Sequence, residues 1–183
     1  MGGVTGETPQ GLPEGTRAHK KDAKRFASVR VAVVTVSDSR TLATDESGPL
    51  IRALLERDGH EVRFTDLLPN DEPRVRDLTT QLLGRDDLEA VLITGGTGLG
   101  SRDRSVEAVQ PLIEKAIPGF GELFRLLSFQ EQVGTSAILT RAFAGSARGK
   151  LVVVLPGSRA AVELALERIL LTELPHLMRE IRR

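Results

Sequence analysis

The sequence contains no cysteine, tryptophan or tyrosine, and only 3% of its 183 residues are aromatic. Without cysteine there is no disulfide, no thiolate nucleophile and no Cys-built zinc site. The histidines, His19, His60 and His176, stand too far apart to form a sequence-local ligand set. Charge of one sign is missing too. Lys plus Arg and Asp plus Glu both number 25, so no whole-chain field attracts nucleic acid or an anionic membrane, and a polyanionic substrate must be held by local groups. No run reaches the length of a membrane span, and the N-terminal stretch lacks the apolar segment of a signal peptide. These absences lead to the expectation of a soluble, cytoplasmic protein whose partners are small molecules.

What is present suffices for one good core. Hydrophobic residues make up 40% of the chain, and the length favours one domain. Residues 1–28, rich in glycine and proline with a basic run, read as a disordered N-terminal arm, either simply solvated or serving as a basic clamp over a phosphate. From Val29 to the end, short β-branched runs alternate with helix-period segments. That is the pattern of βαβ units around a mostly parallel sheet, so the fold class is α/β.

The first strand is Val31 to Val36. A helix follows with Leu50, Ile51, Leu54 and Leu55 on one face and Gly59 as its stop. "EVRFTDLLP" is the second strand, and "NDEPRVRDLTTQLLG" a helix capped by Asn70 or Asp71, with Val75, Leu78 and Leu82 inward. "LEAVLITGG" reads as the most buried strand, because Val91, Leu92 and Ile93 are consecutive rather than alternating. "DRSVEAVQPLIEKA" predicts a helix facing Val109, Leu112, Ile113 and Ala116 inward. The chain then breaks at Pro118-Gly119 and restarts as a helix carrying Phe120, Leu123, Phe124 and Leu127. "KLVVVLPGS" is the last clear strand, and a closing helix broken near Pro175 ends the chain.

The stretch "ITGGTGLGSRDRS" carries the chemistry. A buried parallel strand delivers it to the carboxyl edge of the sheet, where open α/β folds bind ligands. Gly95, Gly96 and Gly98 let backbone N–H groups approach an anion, and Thr94 and Thr97 add hydroxyls. The alternative is a tight turn with no ligand. The spacing is not a P-loop, since Gly149-Lys150 is followed by Leu151, and not the dinucleotide fingerprint, whose third glycine would fall on Ser101 or Asp103. Asp103, at the start of the next helix with Ser105, is either an N-cap or a carboxylate that holds Mg²⁺ against a triphosphate. Three other polar strand ends reach the same edge and offer Ser37, Asp38, Asp71 and Ser158, although Asp38 also suits a turn and Asp71 a cap.

Taken together, "VVTVSD", "DESGPLI", "VLITGGTGLGSRD", "PGFGELFRLLSFQEQVGTSAILTRAFAG" and "VVLPGSRAAVELALE" resemble the MoaB/Mog family of molybdenum cofactor biosynthesis proteins. The likeness spans nearly the whole chain after the arm, and the long segment through Gly145 is more similar to the MoaB branch than to MogA. The resemblance implies a three-layer molybdopterin-binding fold assembled as a homotrimer or homohexamer, with contact to other proteins of the pathway. It also implies an activity, adenylylation of molybdopterin by Mg-ATP, for which molybdopterin and ATP are substrates and Mg²⁺ the metal.

By position, the resemblance assigns Asp103 and Asp71 as the catalytic and metal-binding pair. Gly95, Gly96, Thr97 and Gly98 match the phosphate and pterin cradle, and Ser37, Asp38, Ser47 and Gly48 its neighbouring edge. Pro118, Gly119, Phe120, Gly121 and Glu122 match one further wall, and Pro156, Gly157 and Ser158 another; Glu122 also suits a purely structural cap or ion pair. Two departures stand out. Mog-type proteins continue from the acidic residue as Asp-x-Thr-Pro, where this chain has Asp103-Arg104-Ser105-Val106. At "LPNDE" either Asn70 or Asp71 is the equivalent, and Asn70 would leave the metal site one charge short. Three readings follow: a molybdopterin adenylyltransferase, a non-catalytic molybdopterin carrier or assembly protein, and a nucleotide-binding regulatory module.

Overall fold

The computed structural model describes residues 28–183, so the arm expected over residues 1–28 lies, but for Ser28, outside the described residues. Four strands, β1 (Arg30–Val36), β2 (Glu61–Leu68), β3 (Ala90–Thr94) and β6 (Lys150–Leu155), run parallel. An edge strand β4 (Lys115–Ala116) and β5 (Phe143–Ala147) extend the sheet by antiparallel pairing. The spatial order is β2-β1-β3-β6-β5-β4.

The consecutive apolar residues of the central strands are explained by burial on both faces. Val31, Val33, Leu92, Leu151, Val153 and Leu155 join one core, and Val34, Val36, Val91, Ile93, Val152 and Val154 the other. Each such side chain, fully removed from water, contributes roughly 1.5–3 kcal/mol. The helix α1 (Ser47–Arg57) covers the first face through Ile51, Leu54 and Leu55, while α2 (Glu72–Leu83) covers the second through Val75, Leu82 and Leu83. The crossover from β1 therefore leaves over one face and the crossover from β2 returns past β1 over the other. The loops after β1 and β3 splay apart and open a crevice at the carboxyl ends of the strands.

After β3 the expected long helix is replaced by a short one, α3 (Ser105–Val109), a tight turn over Gln110–Leu112 and the edge strand β4. Pro111 removes the backbone donor that would continue the helix. Val109 is buried as expected, but Ala116 is exposed on β4. Next comes α4 (Pro118–Ser128), which begins at the proline and buries Phe120 and Phe124, their rings stacked with centroids 6.3 Å apart. Leu123 instead faces outward, 42% exposed.

The closing helix is continuous past Pro175. It comprises α5 (Arg159–Ala165), a wider helical turn over Leu166–Leu170, and α6 (Leu171–Arg182), whose buried Leu174 and Met178 hold it on the first core. Among the described residues no helix is long and apolar enough to cross a membrane.

Candidate functional site: a cleft at the carboxyl edge of the sheet

The crevice predicted by the topology is a cleft of about 520 Å³. The loop after β1 supplies Ser37, Asp38 and Arg40, and the loop after β3 supplies Gly95 to Gly98 and Gly100 to Asp103. Ser47 of α1 and Gly157 after β6 close the remaining side, linked by a hydrogen bond from Ser47 Oγ to the Gly157 carbonyl at 2.9 Å.

The glycine turn is shaped by close approach. Gly95 and Gly96 adopt φ of +102° and +63°, a region L side chains avoid. A Cβ on Gly95 would stand 2.1 Å from the Val36 carbonyl oxygen, so the turn crosses directly over the end of β1. A Cβ on Gly96 would lie 2.4 Å from both Asn70 Oδ1 and Ser105 Oγ. Both of those atoms are buried without a hydrogen-bond partner. Unpaired buried polar atoms are costly and rare. Two of them lie packed behind the same glycine, so nothing larger than glycine fits between the turn and these side chains.

Asp103 does not cap α3, whose N-terminus receives no side-chain hydrogen bond. Its Oδ2 instead accepts the Gly100 N–H at 3.1 Å, closing a turn that keeps the carboxylate in the cleft wall. Asp38, the other carboxylate of the cleft, accepts the Asn70 N–H at 2.8 Å and lies 3.9 Å from the Arg102 guanidinium. Arg102, 83% exposed, and Arg40 provide two cationic heads at the rim.

The structure places Asp71 as the N-cap of α2. Its side chain turns back onto α2, where Oδ1 accepts the Arg74 N–H at 3.0 Å, and it does not line the cleft. As the N-cap, Asp71 satisfies one of the free donors of the first helical turn. Asn70, one residue earlier, lines the cleft in its place.

Other expected site residues also separate. Thr94 is buried beneath the turn, donating to the Pro156 carbonyl at 2.9 Å, and Ser105 lies fully buried behind Gly96. Gly48 borders a small hollow with Asp45 instead of the main cleft. Pro118, Gly121 and Glu122 line a second cavity of about 740 Å³, Phe120 is in the core and Gly119 is exposed. Pro156 and Ser158 line a third hollow of about 250 Å³ that shares Thr97 and Gly98 with the main cleft. Ser158 also caps α5 by accepting the Ala161 N–H.

Sequence reasoning missed Asp45, which accepts hydrogen bonds from Thr35 Oγ1 at 2.7 Å and the Ser47 N–H at 2.9 Å and so fixes the start of α1. It also passed over Arg40 and Arg102, although both stand inside short stretches that carry candidate residues, "SDSR" and "SRD".

Among the described residues no group of three or more His, Cys, Asp or Glu can hold a metal ion. Mg²⁺ is commonly held by one or two carboxylates together with waters and substrate phosphates. Asp103 and Asp38 are the two carboxylates of the cleft lining that would hold such an ion.

A crevice at a switch point, lined by a glycine turn, two arginines and two carboxylates, defines an α/β protein with its candidate site at the carboxyl edge of the sheet. Comparison with known proteins makes this specific. The family described as "Probable molybdopterin binding domain" matches residues 32–176. Molybdenum cofactor biosynthesis protein B of Halalkalibacterium halodurans is 48% identical over 163 residues, covering 89% of this chain and 95% of that protein. A crystal structure of a molybdenum cofactor biosynthesis protein B superposes with a TM-score of 0.83 at 41% identity, covering 86% of this chain and 98% of the other. The tungsten cofactor synthesizing protein MoaB from Pyrococcus furiosus gives a TM-score of 0.78 at 34% identity, covering 86% and 99%. The chain belongs to the MoaB/Mog family of molybdenum cofactor biosynthesis proteins, on its MoaB side.

Proposed function

We propose that this protein binds molybdopterin in the main cleft and adenylylates it with Mg-ATP. In that reaction an oxygen of the terminal phosphate of molybdopterin attacks the α-phosphorus of ATP, the bond to the β-phosphate oxygen breaks, and pyrophosphate leaves. No nucleophilic side chain is required, because such transfers depend on positioning and charge neutralisation. Backbone N–H groups of Gly96 to Gly98, the Thr97 hydroxyl and the guanidinium groups of Arg40 and Arg102 would hold phosphate oxygens. Asp103, with Asp38 on the same cleft lining, would hold Mg²⁺, which neutralises charge on the polyphosphate when bound.

The observation that carries this reading is the glycine turn itself: Gly95 and Gly96, at positive φ, and Gly98 bring bare backbone to the cleft lining directly beside the Asp103 turn. One observation favours a second reading, a molybdopterin carrier that does not catalyse. Asn70 stands on the cleft wall where Asp71 would have supplied a second charge for the metal.

Incubating purified protein with molybdopterin and Mg-ATP separates the two. Pterin-dependent adenylyl-molybdopterin and pyrophosphate over many turnovers supports the transferase, whereas tight pterin binding with no product supports the carrier. ATP bound equally well without any pterin requirement would favour a nucleotide-binding regulatory module instead.

The same reading includes a cytoplasmic homotrimer or homohexamer. Leu126, Phe129, Val133, Ile138 and Leu139 leave a run of large apolar side chains exposed from α4 onward, suited to contact between copies.

A further inference from the structure

Arg141 precedes β5 and does not line the main cleft, yet its guanidinium is committed to that cleft's glycine turn. Nε donates to the Thr97 carbonyl at 2.9 Å, and one terminal nitrogen donates to the carbonyls of Gly98 at 2.7 Å and Asp103 at 3.2 Å. The other terminal nitrogen donates to Glu107 Oε1 of α3 at 2.6 Å. Thr97, Gly98 and Asp103 all border the cleft, so the guanidinium grips the turn from its far side.

The geometry has a direct consequence for anion binding. In a trans peptide the N–H points opposite to the carbonyl of the same plane, and no peptide bond among the described residues is cis. Holding the carbonyls of Thr97, Gly98 and Asp103 against Arg141 therefore turns the N–H groups of Gly98, Leu99 and Arg104 to the opposite side. Three carbonyl dipoles that would repel an anion are also engaged by a cation. Glu107 anchors the fork, and the Arg141 hydrogen bond in turn holds the Glu107 carboxyl below its ordinary range.

We propose that Arg141 is the positioning residue of the glycine turn: it pre-forms the backbone cradle over 97–103, with Glu107 as its anchor, and does not itself touch substrate. The inference rests on the reading of the cleft as a polyphosphate and pterin site. A preorganised donor array needs no reorganisation when charge arrives, which is what makes it effective. Only the planar, multi-donor guanidinium spans three carbonyls and a carboxylate together, so lysine is not an equivalent substitute.

The test measures backbone amide hydrogen exchange, together with steady-state adenylylation of molybdopterin, for full-length wild type, Arg141→Ala and Arg141→Lys. Within 96–104 the hydrogen-bonded amides, those of Gly100 and Asp103, should exchange roughly tenfold faster or more in both variants, while β1 and β3 keep wild-type protection, because only the local opening equilibrium is altered. The KM for Mg-ATP should rise by about tenfold, with a smaller fall in kcat, as binding donors lose their alignment. Added guanidinium ion should partly restore Arg141→Ala, an effect that a general folding defect does not show.

Unchanged exchange over 96–104 in Arg141→Lys, or protection lost evenly across its sheet, overturns the proposal. If Arg141→Ala fails to fold, Arg141→Lys decides alone, because it keeps the stem and charge and loses only the fork. Loosening of 96–104 with no adenylyl-molybdopterin from the wild type would leave Arg141's role standing and defeat the transferase reading. A wild type that turns over beside an Arg141→Lys variant with wild-type exchange would do the reverse.

Discussion

Asp38 Oδ1 accepts the backbone N–H of Asn70 at 2.8 Å, tying the loop after β1 to the loop after β2 across one wall of the cleft. The bond fixes where the Asn70 side chain stands relative to Gly96, and it leaves Asp38 Oδ2 facing Arg102. Asp38→Asn keeps an acceptor oxygen for Asn70, whereas Asp38→Ala keeps none. Thermal denaturation should therefore show Asp38→Ala losing about 1 kcal/mol and Asp38→Asn much less. Both variants should bind Mg-ATP more weakly if the Asp38 charge serves the metal. Equal stability losses in the two would show that the hydrogen bond is not what the loop depends on.

Asp103 has two separable duties, closing the turn through Gly100 and presenting charge to the cleft. Asp103→Asn preserves the acceptor for the Gly100 N–H, so the melting temperature should stay near that of the wild type. Turnover with molybdopterin and Mg-ATP should fall by roughly 10²-fold or more. Retention of full turnover would end the case for Asp103 as a metal ligand.

Ser105 offers the opposite trade. Its hydroxyl is buried and unpaired, so Ser105→Ala removes an unmet hydrogen-bonding demand and should leave the free protein equally stable or more stable by up to about 1 kcal/mol. Because the hydroxyl lies behind Gly96 and off the cleft lining, calorimetric titration with molybdopterin should show an affinity close to that of the wild type. A loss of about tenfold or more in affinity would show that the hydroxyl does reach the ligand.

Gly96→Ala combines strain with a clash. The backbone at φ +63° disfavours a side chain, and the new Cβ would press on Asn70 Oδ1 and Ser105 Oγ at 2.4 Å. A stability loss of about 1–3 kcal/mol by chemical denaturation is expected. Ligand binding should fall further than that loss explains, since Asn70 and Ser105 must move. A Gly96→Ala protein with wild-type affinity would show that the cradle is not the binding surface.

His60 predicts a pH dependence. Its Nδ1 accepts the Val29 N–H at 3.2 Å, so the ring proton resides on Nε2 in the neutral form. Burial lowers its pKa below the ordinary 6.5, opposed in part by Asp58. Because the folded protein resists a proton that the unfolded chain accepts, this contribution to stability is complete above the unfolded pKa. It is lost as pH falls toward the depressed folded value. Melting temperatures measured downward from about pH 7.5 should drop through this window more steeply for the wild type than for His60→Gln, which offers an uncharged acceptor to Val29. Parallel slopes would remove His60 as the source.

Much of this protein was legible along the chain. The central strands announced themselves through β-branched runs, and the double-sided burial of Val91, Leu92 and Ile93 followed from their being consecutive. Helix periodicity placed Ile51, Leu54 and Leu55 correctly because the 3.6-residue repeat is a local property. The glycine turn with Asp103 was equally local, since a strand, a run of glycines and a helix start follow one another in sequence. Antiparallel β5 was not legible: "FAGSA" has no β-branched residue, and its pairing with β6 supplies the order that its composition does not.

What tertiary structure alone decided were choices between neighbours and contacts between distant residues. Asn70 and Asp71 are both plausible caps in sequence; the direction in which α2 leaves the sheet turned Asp71 onto the helix and Asn70 into the cleft. Arg141 has no local signal for its role, because its partners Thr97 and Gly98 are 44 and 43 residues away along the chain. The segment from Pro118 to Glu122 matched the family closely, yet packing of Phe120 into the core set it on a different cavity. Local chemistry writes strands, turns and periodic faces into a sequence. Which side chains share a site depends on how the sheet orders its strands, and that order is set by packing over the whole core.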